Sequence, residues 1–167
     1  SRGLGDVYKR QGLMYNEYHR VPFVALRYFN VFGPRQQPNS AYSGVISKFI
    51  KSATTGQQVT IFGDGGQCRD FTYVSDIVDA NLWAMTADVV GMTLNVATGK
   101  SVTLLETLTA IESIVGCIKM DVRYDSPRKG DIYTSKANVE AINTLGFKTA
   151  VSFEEGLKKT IDWALNS

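Results

Sequence analysis

Short runs rich in β-branched and aromatic residues alternate along this chain with segments whose apolar residues recur at helical spacing, and that alternation restricts the fold more than any other feature. Val21–Asn30 is a β-rich apolar run that follows a polar helical stretch and is closed by Gly33-Pro34, which suits a buried strand fed by a helix. A turn is expected at Pro38-Asn39-Ser40. Val45, Ile46, Phe49 and Ile50 then recur at helical spacing until Gly56 closes the helix. Gln58–Phe62 and Arg69–Val74 are two more β-type runs. The Gly63-Asp64-Gly65-Gly66 segment between them has the composition of a tight connection, so the two runs read as a hairpin. Ile77, Val78, Ala80, Asn81, Leu82, Ala84 and Met85 continue as a helix, and Thr93–Ala97 reads as a further strand. The pattern predicts an α/β fold.

Two helix starts are written in local chemistry. Thr103 and Glu106 have the spacing of a capping box, in which hydroxyl and carboxylate reciprocally satisfy free backbone donors, and they open a helix running towards Gly116; Ser152 and Glu155 repeat the device. In the last helix Phe153, Leu157, Ile161 and Leu165 form a stripe expected to dock on the core, with Lys158, Lys159 and Asp162 facing water. With 167 residues, 44% of them hydrophobic, the chain can bury one core of ordinary domain size, so one globular unit is expected. No apolar run approaches the roughly 20 residues needed to span a bilayer, and no signal-peptide pattern opens the chain. It reads as soluble and cytoplasmic, with no membrane partner. Cys68 and Cys117 lie far apart without neighbouring ligands at a zinc-like spacing and are expected as reduced thiols, while His19 reads as a surface or packing residue. No metal site is expected.

Residues 1–11 form a separate case. Asp6-Val7-Tyr8-Lys9-Arg10-Gln11 is what the codons GAT GTG TAT AAG AGA CAG would give, a string that resembles a transposon end used in preparing sequencing libraries. Residues 1–11 are accordingly expected to be translated adapter without a function, and residues 12–167 to be the substrate-side part of the protein. Leaving that stretch out removes Arg2, Lys9, Arg10 and Asp6 and leaves 15 basic and 15 acidic residues, so the formal charge of +2 vanishes. The charges are dispersed in both signs with no basic, aromatic-interleaved patch, which argues against a nucleic-acid partner.

Three segments carry specific chemistry: Arg27–Gln36 (Arg-Tyr-Phe-Asn-Val-Phe-Gly-Pro-Arg-Gln), Gly63–Asp76 (Gly-Asp-Gly-Gly-Gln-Cys-Arg-Asp-Phe-Thr-Tyr-Val-Ser-Asp) and Pro127–Asp131 (Pro-Arg-Lys-Gly-Asp). Each resembles the matching segment of the NAD-dependent epimerase/dehydratase family of extended short-chain dehydrogenases, in the same order and at family spacing, over residues 12–166. Within that family the chain is most similar to UDP-sugar 4-epimerases, in particular those acting on UDP-N-acetylglucosamine, through Gln36–Lys48. The resemblance implies the carboxy-terminal part of a Rossmann-like parallel sheet together with a small substrate-binding α/β subdomain. It also implies NAD as cofactor, held mainly by an amino-terminal part absent from this chain, a UDP-sugar as substrate, and a homodimer for the intact enzyme.

Carried over residue by residue, the resemblance sets Tyr28 beside the nicotinamide and Asn30 at the substrate diphosphate. Strand ends of open α/β sheets meet ligands there, and an amide can donate to a phosphoryl oxygen without adding charge. Gly44, Val45 and Lys48 would meet the nucleotide at a helix start, where free amides and the dipole favour phosphate. Thr60, Ile61 and Phe62 would line the uracil through backbone amides and an apolar wall. Arg69 and Arg128 are implied as the phosphate-binding arginines, since a planar guanidinium engages phosphoryl oxygens in pairs. Asp131 is implied as the acid near the ribose, and Asn95 and Gly99 match the family's strand-end pair. Each side chain also has an ordinary use: Asn30 as a turn former, Lys48 as a solvated charge, Arg69, Arg128 and Asp131 in surface ion pairs. Gly63-Asp64-Gly65-Gly66 lacks the glycine spacing of a dinucleotide fingerprint.

The family's Tyr-x-x-x-Lys pair and glycine-rich NAD turn are not in this sequence; Tyr8 is followed directly by Lys9, and neither Tyr15 nor Tyr18 has a lysine four positions on. The chain by itself is therefore expected to be inactive and to expose strand edges meant for a larger sheet. A dehydratase or decarboxylase of the same family, and a non-catalytic nucleotide-binding relative, remain the competing readings.

Overall fold

The computed structural model describes residues 2–38, 44–116 and 119–166, so the expected turn at Asn39 and Ser40 and the thiol of Cys117 lie outside the described residues. The chain opens with helix α1 (Arg2–His19), followed by strands β1 (Ala25–Tyr28) and β2 (Val31–Phe32). Helix α2 (Val45–Thr55) stops where Gly56 takes a left-handed φ of 67° and donates to the Ser52 carbonyl, as its position in the sequence predicts. Strands β3 (Val59–Phe62), β4 (Cys68–Arg69) and β5 (Thr72–Tyr73) lead into helix α3 (Val74–Ala84). Then come β6 (Thr93–Val96), β7 (Val102–Thr103), α4 (Leu104–Val115), β8 (Val122–Asp125), β9 (Thr134–Ser135), α5 (Glu140–Thr144) and α6 (Phe153–Leu165). The Thr103–Glu106 capping box forms in full, and the Ser152 hydroxyl accepts from the Glu155 amide.

Parallel pairing dominates: β1 lies beside β6, β2 beside β5, β3 beside β8 and β4 beside β9, while β4 and β7 run antiparallel. The α/β class read from the sequence is the one observed. The expected hairpin between Gln58–Phe62 and Arg69–Val74 does not form. Val59–Phe62 instead takes Val122–Asp125 as its neighbour, and Cys68–Arg69 sits between Thr134–Ser135 and Val102–Thr103. A parallel neighbour arrives only through a long crossover, so the pairing of β3 was invisible to a reading based on adjacent runs.

Two hydrophobic clusters divide the molecule. One, containing Ile77, Ala80, Leu94, Val96 and Ile142, packs α3 and α5 against the β1–β6 pair. The other, containing Ile46, Phe49, Ile61, Ile111, Leu157 and Ile161, packs β3 beneath α2, α4 and α6 and leaves β8 largely exposed beside it. An aromatic stack of Phe32, Phe71, Tyr73 and Phe153, with ring centroids 5.5–6.1 Å apart, belongs to the second cluster. Helix α6 reaches it because Gly156 has no side chain: a Cβ there would stand 2.8 Å from the Tyr73 ring. Leu157 and Ile161 are fully buried and Lys158, Lys159 and Asp162 exposed, but Leu165 is 56% exposed. Ala164, three residues after Ile161, turns to the core in its place. Among the described residues no helix is long and apolar enough to cross a membrane.

Leu157→Ala removes a side chain with no exposed surface from the centre of the larger cluster. We predict a loss of about 2–5 kcal/mol in urea denaturation; an unchanged midpoint would show that α6 does not hold this core together.

Candidate functional site

Against the larger cluster lies a cavity of about 530 Å³, a volume typical of small-molecule sites. Its walls come from the β1–β2 junction, the first turns of α2, strand β3, Arg69 of β4, and the segment after β8. Asn30, Gly44, Val45, Lys48, Thr60, Ile61, Phe62, Arg69, Arg128 and Asp131 all line it. Residues from five separate stretches of sequence are therefore brought to one place.

Asn30 sits in a left-handed turn, φ 33°, between two strands, and its side-chain amide donates to the Asp70 carbonyl at 2.9 Å. Asparagine tolerates this backbone better than other side chains, so the turn and the hydrogen bond explain the residue together. Gly44 precedes α2 with φ −64° and ψ 159° and no side-chain cap, which leaves free amides at the helix start; no acidic residue occupies the first turn. Strand β3 has no second strand neighbour among the described residues, so one edge of its backbone has no strand partner beside the cavity.

The charged side chains already hold partners. Arg69 Nη2 donates to Asp131 Oδ1 at 2.7 Å and Nη1 to the Cys68 carbonyl at 2.9 Å. The Arg128 guanidinium carbon lies 3.8 Å above the Phe62 ring. The arginine and carboxylate that the sequence assigns to different parts of a ligand thus face each other, and the apolar wall is capped by the second arginine. Tyr28 stands apart from this cavity: its ring is 47% exposed and its hydroxyl donates to Asn81 Oδ1 at 2.9 Å. It lines an adjoining cleft of about 340 Å³ together with Asn30, Arg69 and Asp131, so those three residues form the boundary between the two spaces.

Three polar residues escaped the sequence reading. Gln36 donates to the Val31 carbonyl at 3.2 Å, while its buried Oε1 in the cavity wall accepts from nothing among the described residues. Gln67 donates to the Phe62 carbonyl and steadies the end of β3. Asp70, fully buried, accepts from the Thr98 amide at 3.0 Å, the Thr98 hydroxyl at 2.7 Å, the Gly99 amide at 3.0 Å and the Ala137 amide at 3.2 Å. The signal for Asp70 was its place between Arg69 and an apolar run, where a solvated acid is out of keeping. Asn95 donates to the Asn138 carbonyl at 2.8 Å, and Gly99 has a left-handed φ of 73°, so both serve the loops behind the cavity.

Residues 9–97 match the model of the NAD dependent epimerase/dehydratase family. The UDP-glucose 4-epimerase of Mycolicibacterium smegmatis is 34% identical over 163 residues, which are 97% of this chain and 50% of that protein. Among solved structures, the UDP-glucose 4-epimerase of Thermotoga maritima with UDP-glucose superposes with a TM-score of 0.89 at 35% identity, covering 95% of this chain and 50% of the other. The UDP-N-acetylglucosamine 4-epimerase of Methanobrevibacter ruminantium, in complex with UDP-N-acetylmuramic acid, gives a TM-score of 0.86 at 39% identity, covering 92% of this chain and 49% of the other. The chain spans about half the length of the relatives it matches.

Asp70→Asn replaces an acceptor of four hydrogen bonds by a group that brings N–H donors of its own to the same buried donors. We predict a destabilisation of about 3 kcal/mol in urea unfolding. A stability equal to that of the unsubstituted chain would remove Asp70 from its structural role.

Proposed function

Because the chain belongs to the NAD-dependent epimerase/dehydratase family, we propose that it forms the substrate-side part of a nucleotide-sugar 4-epimerase acting on UDP-glucose or UDP-N-acetylglucosamine. The observation that carries this reading is the convergence of Arg69, Arg128 and Asn30 on one cavity at the end of parallel strands. Two guanidinium groups and an uncharged amide donor suit a diphosphate, which carries two or more negative charges over a short span. Lys48 and the free amides at the start of α2 add positive potential. The exposed edge of β3 and the faces of Ile61 and Phe62 suit a flat base, and Asp131 a ribose hydroxyl.

Fit to NAD is partial. Tyr28 presents an exposed ring at the end of a parallel strand, next to the cleft it shares with Asn30. This sequence has no glycine-rich phosphate turn and no Tyr-x-x-x-Lys, so Tyr28 would flank the nicotinamide from one side only. NAD, when bound, supplies the acceptance and return of a hydride. The chain's own residues bind and orient: Arg69, Arg128 and Asn30 hold the diphosphate while the hexose projects into the cleft beyond them, free to present either face.

Two tests follow. Arg69→Ala and Arg128→Ala are each predicted to weaken UDP binding about tenfold or more in calorimetry, the effect of losing a charge-assisted hydrogen bond; retention of full affinity by both would refute the diphosphate assignment. The full-length protein is predicted to interconvert the 4-epimers of UDP-glucose or UDP-N-acetylglucosamine. Loss of water from the sugar, or of carbon dioxide from UDP-glucuronate, would instead identify a dehydratase or decarboxylase.

A further inference from the structure

Between β8 and β9, residues 126–133 form a strap that carries Arg128 and Asp131 across the mouth of the cavity, and all of them are exposed. No buried apolar side chain anchors this segment; its end is tied to β4, where the Tyr133 carbonyl accepts from the Cys68 amide at 2.9 Å and from Arg69 Nη1 at 3.4 Å, and the rest is placed by a few polar and π contacts. Asp131 reaches Arg69 at 2.7 Å, and Arg128 lies on Phe62 at 3.8 Å. Both contacts use guanidinium groups of the cavity wall, for which an entering anion would compete.

A third side-chain contact lies elsewhere. The Tyr133 hydroxyl donates to Asp64 Oδ2 at 3.0 Å, and neither residue lines the cavity. The receiving loop is shaped for this phenol. The Gly66 amide donates to Asp64 Oδ1 at 2.9 Å and so fixes the carboxylate plane. A Cβ on Gly66 would collide with the Tyr133 hydroxyl, and Gly65, at a left-handed φ of 80°, lets the loop close over Leu105. The Gly66 amide and then the Tyr133 hydroxyl hold the Asp64 carboxyl below the usual carboxylate range, while the hydrogen bond to Asp64 raises the Tyr133 phenol. At neutral pH the bond therefore joins a neutral donor to a charged acceptor, the stronger kind.

We propose that the Tyr133–Asp64 hydrogen bond is a positioning clasp, which keeps Arg128 and Asp131 at the mouth of the site when a nucleoside diphosphate takes over the contacts made by the two arginines. The clasp rests on the nucleotide-sugar reading above. It also gives the Gly63-Asp64-Gly65-Gly66 segment a purpose: it is the socket for the strap, made of glycine where a side chain would block the phenol.

The test compares this chain with Tyr133→Phe, which keeps the exposed ring and removes the donor. Affinity for UDP is read by calorimetry, and mobility of residues 126–133 by amide hydrogen exchange in the presence of UDP. Tyr133→Phe is expected to weaken UDP binding about three- to tenfold and to speed exchange in the strap, with an unchanged melting temperature. Combined with Asp64→Ala, it should add no further loss beyond that of Asp64→Ala alone, because both remove one bond. UDP binding by Tyr133→Phe equal to that of the unsubstituted chain, or losses that simply add, overturns the clasp and leaves the nucleotide reading intact. An unsubstituted chain that binds no UDP overturns the nucleotide reading and the clasp with it.

Discussion

The site depends on one buried carboxylate. Asp70 stands between a cavity-lining arginine and the aromatic stack, and its two oxygens gather the backbone after β6 and the backbone leading to α5. Its own carbonyl receives the Asn30 amide at 2.9 Å, and its amide donates to the Ser135 carbonyl at 2.8 Å. A charge this deep is tolerated only where donors surround it, and here those donors come from loops with no regular partner of their own. The arrangement fixes the position of Arg69 relative to Asn30. Asp76, also buried, repeats the device by accepting from the amides of Ala150 and Val151 just before α6.

Around that fixed frame the charges that line the cavity are paired in a way that can be exchanged. Arg69 is matched by Asp131, and Arg128 rests on an aromatic face, so neither guanidinium waits in isolation. The Arg69 side chain is largely buried and Asp131 opens to solvent, so an entering anion with several oxygens would compete with Asp131 for the guanidinium. The frame and the exposed strap thus have different physical characters. The frame is held by the buried hydrogen bonds of the Asp70 carboxylate, and the strap by contacts that an anion would rearrange. The proposed clasp belongs to the strap yet lies outside the ligand's reach.

Much of this was legible in the sequence, because the elements that build it act locally. Gly56 stops α2 and Thr103 and Glu106 start α4 through contacts within a few residues, and the helical spacing of Leu157 and Ile161 marks the inward face of α6. The residues lining the cavity were legible only through resemblance, since Asn30, Lys48, Arg69 and Arg128 each have ordinary surface uses. Non-local pairing was not legible: β3 meets β8, and the segment between β3 and β4 is a socket where a hairpin turn was expected. Nor could spacing show that Arg69 and Asp131 face each other, or that Asp70 turns inward, because both facts follow from crossovers that bring distant strands together.

The cavity against the larger cluster is proposed to receive a nucleoside diphosphate. Diffraction from crystals of this chain grown with UDP tests it most directly. Density for the two phosphates is expected among Arg69, Arg128 and Asn30, with the base against β3. Density for UDP elsewhere on the surface, with Arg128 still lying on Phe62 and the cavity filled by solvent alone, would contradict it.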